Sequence, residues 1–153
     1  MLDSIKNAIA ANSHIMLTGE YGTGKTQLVK RACSELNKKS ITVHFSVFDF
    51  SSKLPGIPSD MDWVINKAKE DNAVIILEID DMLVSGVKSV FILECMTHCQ
   101  CIVVRRENEF VFPATIVDRI QEFFNLPSVM AASSTDKFSL EERLNSSRMG
   151  TNQ

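Results

Sequence analysis

The chain of 153 residues has no uninterrupted apolar run long enough to cross a bilayer, and its first stretch is broken by Asp3, Lys6 and His14. The first absence excludes a membrane-spanning helix and the second the continuous core of a signal peptide, so no membrane partner is expected. Cysteine is scarce, and the four present (Cys33, Cys95, Cys99 and Cys101) are not spread as a disulfide framework. Together with the motif described next, they suggest a reducing, cytoplasmic setting. No charge dominates: 16 basic against 19 acidic residues leave a net charge of −3, which argues against a wholly basic, polyanion-coating protein. A local basic patch stays open. The length fits one domain that buries about two-thirds of the surface of its unfolded chain, without disulfide or metal staples. There are no internal repeats.

Of only six glycines, three fall at positions 19, 22 and 24, within Gly19-Glu20-Tyr21-Gly22-Thr23-Gly24-Lys25-Thr26. This is a complete GxxxxGK[ST] phosphate loop, preceded by an apolar run (Ile15, Met16, Leu17) and followed by a helix-forming run that begins with Gln27. Triphosphate oxygens need many donors at short range, and glycines let successive backbone N–H groups converge on them. The helix starting near Lys25 points its positive end at the same place. Lys25 is expected to reach the β and γ oxygens, and the Thr26 hydroxyl to ligate Mg²⁺. Residues 19–27 are thus the expected ATP-binding segment.

Apolar periodicity predicts an amphipathic helix over residues 2–10, a strand at Ile15–Thr18, a helix from Lys25 to about Asn37 and a strand at Ile41–Val47. Pro55, Gly56 and Pro58 mark a loop over residues 48–58, after which Ser59 or Asp60 caps a helix with Met61, Val64, Ile65 and Ala68 on one face. Trp63 lies off that face. A mostly apolar strand at Ala73–Ile79 ends in Asp80-Asp81, followed by a helix from Val84 to about His98, a strand at Cys101–Val104 and a short one at Ile120–Phe124. Strands alternating with helices give a three-layer αβα sandwich on a parallel five-stranded sheet, with ligands at the carboxyl ends of the strands. Residues 1–126 form the expected core, and the Ser- and Thr-rich residues 127–153 a weakly structured polar tail.

A phosphate loop needs a further carboxylate for its metal. Asp80, on a strand expected to lie next to the first, is placed to bind Mg²⁺ directly or through water. Asp81 then either orients the attacking water as a general base or caps the following helix.

The order of these elements resembles the core of an AAA+ ATPase. GEYGTGKT matches Walker A and VIILEIDDM Walker B; CIVVRREN falls where the fourth strand carries sensor 1, and FPATIVDRIQEFF where an arginine precedes the fifth strand. The resemblance covers roughly residues 2–125. It implies ATP hydrolysis with Mg²⁺ in a homo-oligomer with shared ATP sites. It makes Asn108 the sensor 1 residue, with Arg105 as runner-up, and Arg119 an arginine finger reaching a neighbouring subunit. A surface ion pair with Asp118 or Glu122 is the alternative for Arg119. Two departures stand out. Asp80-Asp81 replaces the more common Asp-Glu, as in initiator and helicase-loader branches, which leans toward DNA or a DNA-linked protein as partner. The family's helical lid is not expected within the 27 residues after Leu126, where Arg143 and Arg148 are the remaining arginines.

Other features are weighed on their chemistry. Cys95, His98, Cys99 and Cys101 are four donors within seven positions, too tight a run to wrap a zinc tetrahedron, so core packing is expected. The segment Phe48–Gly56 lies where related motors place substrate-gripping loops, with loop packing of its aromatics the commoner outcome. Glu78 inside an apolar strand needs a partner, Arg105 or Lys25, or a strand face open to solvent. Besides an ATPase, the motifs allow a small-molecule or nucleotide kinase, with Asp49 as the carboxylate at the acceptor hydroxyl, and a non-hydrolysing ATP-gated binding module.

Overall fold

The computed structural model describes residues 1–20, 22–51, 59–105 and 112–126. The elements in chain order are α1 (Leu2–Ala10), β1 (Ile15–Gly19), α2 (Lys25–Glu35), β2 (Ser40–His44), α3 (Asp60–Asp71), β3 (Val74–Ile79), α4 (Val87–His98), β4 (Cys101–Arg105), α5 (Ala114–Val117) and β5 (Glu122–Leu126). The strands form one parallel sheet in the order β2-β3-β4-β1-β5. The α/β class and the five parallel strands agree with the sequence. The neighbours of β1 do not. β4 pairs with both β1 and β3, so the strand carrying Asp80 stands one strand away from β1 rather than beside it. Parallel pairing requires long crossovers, and periodicity carries no signal for which strand a crossover lands beside.

Side chains alternate across the strands and divide the core in two. Ile15, Leu17, Val74, Ile76, Ile102 and Val104 pack with Ile5, Ile9, Val29 and Ala32 of α1 and α2. Ile75, Leu77, Ile79, Cys101 and Val103 pack on the other face with Val64, Ala68, Phe91, Ile92 and Cys95 of α3 and α4, and with Ile116 of α5. β3 and β4 are buried on both faces, which explains their nearly continuous apolar runs.

Helix ends follow local chemistry. The Ser59 hydroxyl accepts from the Asp62 N–H at 3.1 Å, and Asn72 closes α3 in the left-handed region at φ 52°. Met61 and Ile65 pack against the core beside buried Val64 and Ala68, and Trp63 is exposed. α4 begins at Val87, after Gly86, rather than at Val84; Val84 is buried ahead of the helix, so its apolar character reports burial and not helix. β5 begins at Glu122, two residues later than expected. Ile120 is buried in the turn after α5, a four-residue helix too short to leave a periodic signal. The tail at residues 127–153 lies outside the described residues.

Candidate functional site

The loop between β1 and α2 opens at the C-terminal edge of the sheet. A Cβ on Gly19 would stand 2.7 Å from the Leu126 carbonyl oxygen, so the absence of a side chain lets the loop start against β5. Gly24 takes φ 79° and caps α2, whose first residue is Lys25. The Lys25 ammonium donates to the carbonyls of Gly19 and Glu20, each at 2.8 Å, and the Thr23 hydroxyl donates to the Glu20 carbonyl at 2.8 Å. The cation therefore lies in the mouth of the loop. Tyr21 lies outside the described residues.

A cavity of about 210 Å³ opens here, with Lys25, Thr26, Gln27, Glu78, Asp80 and Arg105 in its wall. Glu78 makes the closest connection between loop and sheet: the Thr26 hydroxyl donates to one of its carboxylate oxygens, and His44 Nδ1 lies 2.6 Å from the other. The partners of Glu78 are thus Thr26 and His44, while Lys25 and Arg105 share its cavity. The apolar surroundings of Glu78 announce that it needs partners. His44 becomes visible as one only through strand register, which sets it opposite Glu78.

Asp80 lies two residues beyond Glu78 and on the same cavity; among the described residues it makes no hydrogen bond or ion pair. Asp81 is absent from the cavity wall. Its carboxylate meets the Lys88 ammonium of α4 at 2.5 Å. Alternation accounts for the split: even-numbered residues of β3 face the α1 and α2 layer and odd-numbered residues face α3 and α4. Asp80 continues the first set and Asp81 the second.

Arg105 ends β4 opposite both Thr18 of β1 and Ile79 of β3, midway between the loop and the Asp pair. Its Nε lies 3.3 Å from Met16 Sδ, its guanidinium stands 5.2 Å from the Phe112 ring centroid, and burial draws its pKa down from the ordinary value. Asn108 lies outside the described residues. Arg119 stands at the other edge of the sheet, ahead of β5, and donates to Thr97 Oγ1 at 3.0 Å and the Leu93 carbonyl at 3.5 Å. Because Ile15 pairs with Glu122 and Gly19 with Leu126, Arg119 and the phosphate loop are separated by a strand length, about 15 Å.

The remaining features fall into the fold. Phe48 and Phe50 pack edge-on to one another and against Phe91, while residues 52–58, including Lys53 and Leu54, lie outside the described residues. The Asp49 carboxylate accepts from the N–H and hydroxyl of Ser51 at 2.9 and 2.6 Å. Cys95 and Cys101 are buried in the core, and burial pushes the Cys101 thiol well above its ordinary pKa. Among the described residues no helix is long and apolar enough to cross a membrane.

The donors present fit a triphosphate and its metal. Lys25 and the start of α2 supply positive potential, Thr26, Glu78 and Asp80 supply hard oxygen ligands, and a Cβ at Gly22 or Gly24 would meet nothing within 4 Å, leaving the loop open. No curated protein matches the chain. Residues 15–99, over half the chain and including both the loop and the Asp pair, match the family described as ATPase family associated with various cellular activities (AAA). The chain belongs to that family of P-loop ATPases.

Proposed function

We propose that the chain hydrolyses ATP with Mg²⁺ at sites shared between copies, and uses the cycle to act on a macromolecular partner. The observation that carries this reading is the convergence of Lys25, Thr26, Glu78, Asp80 and Arg105 on one cavity at the sheet edge. Bound Mg²⁺ would supply charge neutralisation at the phosphates. Thr26 and Asp80 would hold the metal, with Glu78 orienting the Thr26 hydroxyl and His44 orienting Glu78. Lys25 would exchange its two loop carbonyls for phosphate oxygens. Arg105 and Asn108 are the candidates for sensing the γ-phosphate, and Asp81 for polarising the attacking water once it leaves Lys88.

Sharing of sites is supported by where Arg119 stands. A strand length separates it from the loop of its own chain, so its finger role belongs to the site of another copy. Asp80-Asp81, as in the initiator and helicase-loader branches, favours a partner linked to DNA.

The test is ATP turnover against protein concentration, with and without single-stranded DNA. Specific activity is expected to rise with concentration, and Arg119→Ala to lose roughly 10³-fold in rate while still binding ATP. Turnover independent of both concentration and Arg119 would remove the shared site. The pairing of Asp81 with Lys88 favours a second reading, an ATP-gated module without hydrolysis. Binding without turnover at every concentration selects it. The kinase reading gains nothing, since Asp49 is bound to Ser51 and lies outside the wall of the phosphate cavity.

A further inference from the structure

Lys88 holds two groups at once. Its ammonium meets Asp81 at 2.5 Å and stands 5.3 Å from the centroid of the Phe50 ring. Phe50 in turn packs edge-on to Phe45 and Phe48, with centroids 4.8 and 4.9 Å apart, and Phe48 stacks on Phe91 at 5.3 Å. Phe91 lies on α4 three residues after Lys88, so the contacts close a circuit: Asp81, Lys88, Phe50, Phe48, Phe91 and back along the helix. The loop end of the circuit is lightly held, because Phe48 and Phe50 are both half-buried and Val47 beside them is exposed.

We infer that Lys88 is a positioning residue that keeps Asp81 off the phosphate cavity, and that the loop at residues 48–51 sets the strength of its hold. The inference rests on the reading of Asp81 as the base. Lys88 is held in place by a carboxylate and by an aromatic face, two attractions that act on the same ammonium. When Phe50 is drawn away, one of them is lost and the ammonium swings off Asp81 at lower cost. The freed carboxylate then turns toward the nucleotide edge, one peptide bond from Asp80. Occupation of the loop thereby raises turnover without any new contact at the nucleotide.

The test compares kcat and KM for ATP in the full chain and in Lys88→Met, Lys88→Arg, Phe50→Leu, Asp81→Asn and the Lys88→Met/Asp81→Asn double variant. Lys88→Met keeps the apolar stem and is expected to raise kcat roughly three- to tenfold, with KM changed less than about twofold. Phe50→Leu gives a smaller rise of about twofold to fourfold, and serves alone if Lys88→Met folds poorly. Lys88→Arg, which keeps both attractions, returns the low rate. In the Asp81→Asn background Lys88→Met adds nothing. A kcat that stays level or falls in both Lys88→Met and Phe50→Leu, while Asp81→Asn is inactive, overturns the latch and leaves the base assignment intact. Full turnover in Asp81→Asn instead removes the base assignment, and the latch with it. If the unaltered chain shows no turnover, the latch requires Lys88→Met to gain some, and silence there overturns it.

Discussion

Gln100 and Thr26 sit at opposite ends of one sheet and use their polar atoms differently. At the N-terminal edge the Gln100 side-chain amide donates to the carbonyls of Ile9 and Ser13, His14 Nδ1 accepts from the Cys101 N–H, and the Gln121 side chain accepts from the His14 N–H. These bonds stitch α1, β1, β4 and β5 to one another. At the C-terminal edge Asp80 has no partner among the described residues, Lys25 rests on loop carbonyls, and the Thr26 hydroxyl donates to the Glu78 carboxylate. The cavity at the first edge is the larger, about 290 Å³ against 210 Å³, so size does not select the site. What marks the C-terminal edge is an ammonium, a hydroxyl and two carboxylates gathered on one opening, and not unmet bonds, since Gln100 Oε1 at the other edge is buried without a partner among the described residues. Side chains that tie elements together hold structure, and charged groups gathered on an open cavity are available for chemistry.

If that division is right, function and stability should separate by edge. The largest effect on this comparison is Lys25→Ala, which should lower ATP turnover roughly 10²–10³-fold. It should change the unfolding free energy by about 1 kcal/mol, since the half-buried ammonium gives up hydrogen bonds to carbonyls of a solvent-open loop. A calorimetric scan beside the turnover assay checks both, and a large loss of stability would blur the comparison. At the other edge, Gln100→Leu takes the side-chain donor from the Ser13 carbonyl and leaves the Ile9 carbonyl with the Asn12 N–H. It should cost about 1–3 kcal/mol, a fall of about 3–9 °C in melting temperature, with ATP affinity within about twofold of the unaltered chain.

The smallest effect concerns pH. Burial, reinforced by Arg119, lowers the His14 pKa, and its Nδ1 must be unprotonated to accept from Cys101. The folded-state pKa lies below the unfolded value of about 6.5, so the unfolded chain takes up the proton first as pH falls. The His14 contribution is therefore complete above about pH 6.5 and declines below it. Between pH 7.5 and 5.5 the melting temperature should fall more steeply than in His14→Gln, whose position does not titrate. Equal slopes would show that His14 is not the group sensed.

The phosphate loop is legible in sequence because its chemistry is local: three glycines, Lys25 and Thr26 act within eight positions. The two-sided burial of β3 and β4 is legible because it leaves apolar runs. Strand order is not, since what inserts β4 between β1 and β3 is crossover geometry. The same limit hides His44, which finds Glu78 by register, and Lys88, which finds Asp81 by the packing of α4. Arg119 shows the reverse. Its neighbours in sequence suggest ion pairs with Asp118 or Glu122, but the fold turns it to Thr97 and the end of α4.

The split between Asp80 and Asp81 has a consequence for how such a chain can diverge. Asp80 follows the strand face toward α1 and α2 and Asp81 the face toward α3 and α4, so under the proposed latch a substitution on α4 would reach the reaction without touching any atom that touches ATP. Descendants of this chain could therefore acquire new timing by drift on α4 alone, while the motif by which they are known stays letter for letter the same.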